Sequence, residues 1–327
     1  MRISSRVAFG AAAIAALLSG PVSAAEDVIR IGAPNWFTGK AAAAVLGEIF
    51  QSRYGYDVEI LPGGNPEIYA GMIEGDGPLG RMDIHADSWQ PGHSSWTAAA
   101  EKAGEMAMSA GGYQGKVGLC APRYTAEALN LKTPRDLMRP EVVSALDRDG
   151  DGKVEMWVGA AGWQMSAAYE VKIRDYGLDS VYSARLAPEG EYQVELYDDF
   201  ANRRHAVFAC YEPMSWFAME YIEYIEEPAY DPARHNLVVP SESDNWLAES
   251  KVETGEQVAD VRIAWVTSLR ERFPRAAKVL QHFAFTNEDM VEFLFLVDIK
   301  GFDMDSVARD WVKANEKKIT AWEGASG

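Results

Sequence analysis

The sequence predicts an α/β protein of two lobes, each with a parallel-rich sheet flanked by helices, with a hinge and a ligand cleft between them. Three observations predict this architecture. Apolar runs typical of buried strands alternate with helix-forming segments, which indicates parallel sheets covered by helices. The alternation stops near residue 118 and begins again, and a final segment returns to the first unit. The chain of 327 residues, 48% of them hydrophobic, is long enough for two such units.

The N-terminus has the pattern of a cleaved export signal. Arg2 and Arg6 form a positive region, residues 7–18 are apolar, and Val22-Ser23-Ala24 resembles a cleavage site. We therefore expect residues 1–25 to be a signal peptide and the mature protein to be periplasmic. No cysteine lies near the cleavage site to carry a lipid anchor.

Lobe I is predicted to comprise residues 26–118 and 238–327. Its first part has strands at 28–33, 57–61 and 82–86, with helices at 39–54 and from 65 between them. Gly55 is placed to end the first helix. A strand at 116–122 is the expected crossing point between the lobes. A return strand at 236–240 and helices from Trp265 onward complete the lobe.

Lobe II is predicted to comprise residues 119–237. Strands are expected at 153–159, 193–196 and 206–210, and helices at 164–176 and 198–204. A chain that leaves one α/β unit and later returns to it is typical of hinged proteins that close around a ligand.

Charge and cysteine content exclude some functions. The formal net charge is −18, which argues against binding to nucleic acid or to anionic membranes. The two cysteines, Cys120 and Cys210, both lie in apolar, strand-like runs. In an oxidising compartment they either form a disulfide or remain two buried thiols, and they are too few for a metal or redox centre.

Four tryptophans are candidate ligand-binding residues because each follows a predicted strand: Trp36, Trp89, Trp163 and Trp216. Ligands of open α/β sheets bind at the carboxyl ends of the strands. Four indole rings meeting there would form a cage for a methylated cation, which has no N–H to donate and is held by the faces of aromatic rings. Predicted helix N-termini after Trp36, Trp163 and Trp216 offer backbone N–H groups for an anionic end of the ligand.

An acidic loop at residues 147–155 has part of the spacing of a calcium-binding loop. Asp147, Asp149 and Asp151 occupy positions 1, 3 and 5, the carbonyl of Lys153 position 7, and Glu155 position 9. Position 12, where a bidentate Glu is expected, is a valine. We expect a structural Ca²⁺ whose shell is completed by water or another segment; the alternative is a solvated acidic turn.

The chain resembles the periplasmic substrate-binding proteins of glycine betaine and related quaternary-amine ABC transporters. The resemblance spans nearly the whole mature chain and is carried by IGAPNW (31–36), DIHADSW (83–89), GLCAPRY (118–124), GAAGW (159–163) and YEPMSW (211–216). It implies a type II binding-protein fold, a cage formed by the four tryptophans, and membrane permease and ATPase subunits as partners of a monomer. Ser215 stands where members often carry His. With its four tryptophans and its acidic loop the chain resembles the trimethylamine N-oxide binding proteins of marine bacteria.

The leading hypothesis is therefore a non-enzymatic binding protein for trimethylamine N-oxide, followed by glycine betaine, choline or dimethylsulfoniopropionate. Another solute, such as an amino acid or a polyamine, is an alternative. An exported metal-dependent hydrolase is a distant one, since the five histidines are scattered and neither G-x-S-x-G nor H-E-x-x-H occurs.

Overall fold

The computed structural model describes residues 28–219 and 221–324. The predicted signal peptide, residues 1–25, lies outside the described residues. Across the described ranges, no helix is both long enough and apolar enough to cross a membrane.

The strands alternate with helices along most of the chain. In order, the strands are β1 (Val28–Pro34), β2 (Asp57–Gly63), β3 (Ile84–Gln90), β4 (Met106–Met108), β5 (Tyr113–Pro122), β6 (Val154–Trp157), β7 (Tyr182–Arg185), β8 (Phe208–Glu212), β9 (Ile222–Ile225), β10 (His235–Asn236), β11 (Lys251–Val252) and β12 (Ala259–Val266). The α-helices are α1 (Phe37–Tyr54), α2 (Asn65–Ile73), α3 (Ser94–Ala103), α4 (Arg123–Leu129), α5 (Pro140–Leu146), α6 (Gln164–Asp175), α7 (Glu189–Asn202), α8 (Ser215–Ala218), α9 (Trp246–Glu249), α10 (Leu269–Arg272), α11 (Pro274–His282), α12 (Asn287–Leu294), α13 (Met304–Ala314) and α14 (Glu316–Trp322). A π-helical turn, Phe295–Ile299, continues α12.

Both lobes are built on one mixed sheet whose strand order is β2-β1-β3-β12-β5-β8-β6-β7. The strands at each end pair in parallel, β1 with β2 and β3 in lobe I and β6 with β7 and β8 in lobe II. Strand β5 joins the two halves because its first residues pair with β12 and its later residues pair with β8 and β9. The predicted two-lobed α/β fold is confirmed, with the two parallel-rich sheets joined through β5.

Helix α1 illustrates how the sequence fixes the core of lobe I. It ends at Gly55, which adopts the left-handed conformation (φ 67°) that a residue with a Cβ rarely takes. Ala43, Val45, Leu46 and Ile49 are fully or almost fully buried because α1 is covered by the sheet on one side and by α13 on the other. Burial of this kind stabilises the fold by about 25 cal/mol per Å² of apolar surface.

The core of lobe II surrounds a disulfide between Cys120 of β5 and Cys210 of β8. The Cα atoms of the two residues are 5.8 Å apart. The pairing decides between the two alternatives that the sequence leaves open. It links β5, the strand that crosses between the lobes, to β8, the strand that contains Tyr211.

The second connection between the lobes is the segment 226–258, here called the crossover arm. It runs from β9 of lobe II to β12 of lobe I, and its strands β10 and β11 form a separate antiparallel pair. The arm is fastened to α6 by Lys172, whose ammonium lies 3.1 Å from Glu227 and 2.9 Å from Glu256. The predicted lobe boundary at 237/238 falls within this arm.

Three predicted elements are wrong. Residues 193–196 are not a strand but part of α7, where Tyr192 and Leu196, four residues apart, are buried on one face. The return strand expected at 236–240 is only the two-residue β10, and the return is made by β12. Helices therefore do not begin at Trp265, which lies in β12 and is 1% exposed.

Candidate functional site

A cavity of about 500 Å³ lies between the lobes, and its wall includes five tryptophan and tyrosine side chains, four of which contact one another. Trp36 and Trp89 come from lobe I, and Trp163 and Tyr211 come from lobe II. These four residues are called the aromatic cage below. Trp36, Trp163 and Tyr211 are each at most 6% exposed, and Trp89 is partly buried. The site is therefore mostly shielded from water.

Local structure sets the direction of each ring. Trp36 and Trp163 are the N-cap residues of α1 and α6 and have extended backbones, so both lie where a strand has ended and a helix begins. Trp89 lies near the end of β3. Its ring covers Gly115, where an added Cβ would come within 2.2 Å of the indole. Only glycine at position 115 leaves room for the Trp89 ring.

Neighbouring rings of the aromatic cage stand nearly perpendicular to each other. The centroids of Trp36 and Trp163 are 5.5 Å apart at an interplanar angle of 80°. Trp163 and Tyr211 are 6.2 Å apart at 76°, and Trp89 and Tyr211 are 5.6 Å apart at 89°. Edge-to-face contacts of this kind are favourable between aromatic rings. Because adjacent planes are perpendicular, their faces can form the walls of a box.

Trp216 is not brought together with the other three tryptophans. It lies inside the short helix α8 rather than at its N-cap. Its ring packs within the core of lobe II, with its centroid 5.8 Å from that of Phe208 and 6.3 Å from that of Tyr192. The residue is 1% exposed. It borders a separate small void that it shares with Tyr211.

A buried carboxylate holds the lobe I side of the cage. Asp87 Oδ2 accepts hydrogen bonds from Nε1 of Trp36 at 2.6 Å and from Nε1 of Trp89 at 3.0 Å. The hydroxyls of Thr38 and Tyr113 donate to the same carboxyl group, at 2.8 and 2.7 Å. Burial raises the pKa of Asp87, and these four hydrogen bonds oppose that rise. In lobe II, Trp163 Nε1 donates to Oδ1 of Asn35, a bond between the lobes.

Polar groups on the same cavity wall are Asn65, His93 and Gln164. Asn65 forms hydrogen bonds with both His85 (3.0 Å) and His93 (3.2 Å). Burial lowers the pKa of His93 to about 3, and burial together with His93 lowers the pKa of His85 well below its ordinary value. Both imidazoles are therefore neutral at physiological pH, so this wall offers hydrogen bonds but no positive charge. The structure brings together two histidines that are separated in the sequence.

A buried glutamate joins the lobes behind the cage. Glu189, at the start of α7, accepts the backbone N–H of Phe37 at 2.7 Å and the hydroxyl of Tyr211 at 2.7 Å. Phe37 is the first residue of α1, so the carboxyl group satisfies a free N–H at a helix N-terminus. Burial raises the pKa of Glu189 to about 8. Nearby, Ser215 donates to Asp298 at 3.0 Å, and burial raises the pKa of Asp298 to about 6.

The acidic loop lies away from the cage, between α5 and β6. Carboxylate oxygens of Asp147, Asp149 and Asp151 lie within 4.8 Å of one another. Asp147 also accepts the N–H groups of Gly150 (2.8 Å) and Gly152 (2.9 Å), which fold the loop around it. The set fits a hard cation because it consists of oxygen donors close enough to share one ion.

The other two predicted ligands of the loop are the backbone carbonyl of Lys153 and the carboxylate of Glu155. The side chain of Lys153 bonds the carbonyl of Ser180, and Glu155 is an exposed residue of β6 outside the group of three. Among the described residues, this trio is the one cluster of at least three His, Cys, Asp or Glu with that spacing.

Sequence reasoning missed Tyr211, Asp87 and Glu189 as residues of the site. Tyr211 follows an apolar run in the way the tryptophans do, which is a usable signal. Asp87 stands two residues before Trp89 at the end of an apolar strand, which is also visible in the sequence. Glu189 has no such signal, because only the tertiary fold brings it to α1.

Comparison with known proteins identifies the family and the fold. The family model described as the substrate binding domain of ABC-type glycine betaine transport systems matches residues 27–314. A solved glycine betaine/L-proline-binding protein (ProX) from Borrelia burgdorferi is 18% identical with a TM-score of 0.68, over 90% of this chain and 96% of that one. Lactococcal OpuAC, in its closed-liganded conformation with glycine betaine, is 19% identical with a TM-score of 0.67, over 91% and 99%.

A choline-binding protein of an ABC transporter, solved in complex with choline, is 15% identical with a TM-score of 0.67, over 92% of this chain and 93% of that one. At these identities the solved structures establish the fold. The family match, by contrast, covers far more than half of the sequence. The chain therefore belongs to the family of substrate-binding domains of ABC-type glycine betaine transport systems.

Proposed function

We propose that this protein captures a small methylated amine in the periplasm and delivers it to the permease of an ABC importer, with trimethylamine N-oxide as the first choice of ligand. The proposal includes export by the signal peptide at residues 1–25 and action as a monomer. Glycine betaine, choline and dimethylsulfoniopropionate are the alternative ligands for the same role.

The observation that carries the proposal is the aromatic cage at the lobe interface. A trimethylammonium group has a diffuse charge and no N–H, so hydrogen bonds cannot hold it, whereas ring faces attract it. Each contact with a ring face contributes about 0.5–2 kcal/mol. Four such contacts give about 2–8 kcal/mol before the cost of ordering the ligand, so micromolar affinity, about −8 kcal/mol, also needs polar contacts with the other end of the ligand.

The wall next to the cage suits the oxygen end of such a ligand. Asn65, His93 and Gln164 line the same cavity and offer hydrogen-bonding groups without a charge. The N-terminus of α6, which begins at Gln164, adds backbone N–H groups and the positive end of a helix dipole. Because cage residues come from both lobes, a bound ligand would stabilise the closed arrangement.

The preference for trimethylamine N-oxide rests on the sequence similarity and on the acidic loop. We propose that Asp147, Asp149 and Asp151 hold a structural Ca²⁺, with the carbonyl of Lys153 and with Glu155 as further ligands after a local adjustment. Bound calcium would neutralise three neighbouring carboxylates and stabilise the loop. Adding Ca²⁺ to metal-free protein should raise Tm, and Asp149→Asn should reduce that rise. If Ca²⁺ does not change Tm, the proposed calcium site is wrong.

Isothermal titration calorimetry against the four ligands tests the function. Binding of at least one ligand at micromolar affinity is expected, with trimethylamine N-oxide the tightest. Trp163→Ala should weaken binding, whereas Trp311→Phe, a change in the distant core of lobe I, should not. Absence of heat with every methylated ligand would overturn the proposal. Tighter binding of glycine betaine or choline would change only the assigned ligand and would leave the proposed role in place.

A further inference from the structure

We propose that the carboxylate of Asp87 makes the cavity prefer a cation to an uncharged ligand of the same shape, because it orients two walls of the aromatic cage and places a negative charge behind them. The inference rests on the proposed function, since it concerns the same cavity. It assigns Asp87 as a specificity-determining residue that acts through the indole rings.

The geometry singles out this carboxyl group. Asp87 is 1% exposed, and its Oδ2 accepts three hydrogen bonds, from Nε1 of Trp36, Nε1 of Trp89 and Oγ1 of Thr38. Its Oδ1 accepts the hydroxyl of Tyr113 at 2.7 Å. Both lobe I walls of the cage are thus fixed by one oxygen atom.

The hydrogen-bond donors around Asp87 indicate whether its carboxyl group is protonated or ionised. An indole N–H can only donate, so Oδ2 must accept from Trp36 and Trp89. A proton on the carboxyl group would have to sit on Oδ1, which already accepts the hydroxyl of Tyr113. The network is therefore complete when Asp87 is ionised. All four donors are uncharged, so they stabilise the negative charge without cancelling it.

This charge lies on the far side of the rings that face the ligand. An N–H that donates to an anion increases the electron density of its indole, which strengthens the attraction of the ring face for a cation. The carboxylate also attracts the cation directly across a region of low dielectric constant. An uncharged ligand with a tert-butyl group in place of trimethylammonium has the same shape but gains neither effect.

Asp83 provides a matched control on the same segment of chain. It is also fully buried, but its carboxylate forms an ion pair with Arg272 at 2.6 Å and accepts the backbone N–H of Arg30 at 3.0 Å. Its charge is compensated by a guanidinium and it does not line the cavity. Asp83→Asn therefore removes a buried carboxylate without changing the cage.

The experiment compares charged ligands with their carbon analogues. Affinities of wild type, Asp87→Asn and Asp83→Asn are measured for trimethylamine N-oxide and its uncharged analogue tert-butanol, and for choline and its uncharged analogue 3,3-dimethyl-1-butanol, by tryptophan fluorescence and competition. In Asp87→Asn the affinity for the cation should fall roughly 10- to 100-fold, and that for the carbon analogue less than about threefold. In Asp83→Asn the ratio of the affinity for the cation to the affinity for its carbon analogue should equal that of wild type.

Equal losses of affinity for both ligands of a pair would mean a purely structural role for Asp87 and would overturn the proposal. Affinities that do not change at all would overturn it as well. If Asp87→Asn does not fold, Tyr113→Phe removes a hydrogen bond that favours the ionised carboxylate, so the preference for the cation should disappear at a higher pH than in wild type as the pH is lowered. Should wild type bind neither trimethylamine N-oxide nor any other methylated ligand, the proposed function itself fails, which is a different outcome from a wild type that prefers cations through other residues.

Discussion

Lys172 is the residue whose removal should damage the framework of the site most clearly. It is 1% exposed, and its ammonium lies 3.1 Å from Glu227 and 2.9 Å from Glu256. The ion pairs connect α6, which begins next to Trp163, to both ends of the crossover arm. The arm in turn supplies part of the cavity wall, including Glu256.

Lys172→Met should lose stability because it leaves two buried carboxylates, those of Glu227 and Glu256, without their cation. In Lys172→Met the side chain keeps its length and apolar stem, but two carboxylates remain near each other without a cation. Removing one partner of a buried ion pair costs about 3–5 kcal/mol. Glu227 keeps hydrogen bonds from the hydroxyls of Tyr169 (2.7 Å) and Tyr176 (2.8 Å), whereas Glu256 keeps, among the described residues, only its contact with Nε2 of His235 (3.0 Å), so most of the loss should come from Glu256.

Urea unfolding at pH 7, followed by circular dichroism, measures the effect. The free energy of unfolding should fall by about 3–5 kcal/mol in Lys172→Met, and Lys172→Met/Glu256→Gln should recover at least half of it. Lys251→Met is the control, because Lys251 is 65% exposed and pairs with Glu253 at 3.4 Å, a contact worth under about 1 kcal/mol. Equal losses in Lys172→Met and Lys251→Met would refute the reasoning.

Three further predictions concern the cage, the lobe interface and the disulfide. Trp163→Ala should weaken binding of the best ligand about 10- to 100-fold in a fluorescence titration, since one wall is lost; an unchanged Kd would argue against the cage. Burial raises the pKa of Glu189 from 4.5 to about 8, so its contribution to stability is complete below pH 4.5 and is lost as pH rises through 8. The Tm of wild type should therefore fall between about pH 5 and 8, and the Tm of Glu189→Gln should fall less; parallel curves would contradict this assignment. Replacing Cys120 and Cys210 by Ser should cost about 2–5 kcal/mol, because the bridge closes a loop of 90 residues in the unfolded chain; an unaltered urea midpoint would show that the bridge does not form.

Much of the fold could be predicted because its signals are local. Helix α1 and its end at Gly55 follow from apolar spacing and from a glycine in the left-handed conformation. The crossing through β5 follows from the break in the alternation of elements near residue 118. Strand β12 was missed because its pairing partners, β3 and β5, are more than a hundred residues earlier in the chain. Long-range pairing of this kind leaves little trace in a single sequence.

Only part of the site could be predicted, because the position of each ring depends on where a helix begins. Trp36 and Trp163 lie at the cage because each is the last residue before a helix. Trp216 follows a strand as well, but it lies just inside α8, and that small difference turns its ring into the core of lobe II. The sequence pattern does not resolve helix ends to one residue. Tyr211 takes the fourth place on the cavity wall.

A crystal structure of the protein grown with trimethylamine N-oxide tests the central claim most directly. The account predicts the three methyl groups between the rings of Trp36, Trp89, Trp163 and Tyr211, with the oxygen toward Asn65, His93 and Gln164. A ligand bound beside Trp216, on the crossover arm or on the outer surface, with the aromatic cage empty, would contradict it.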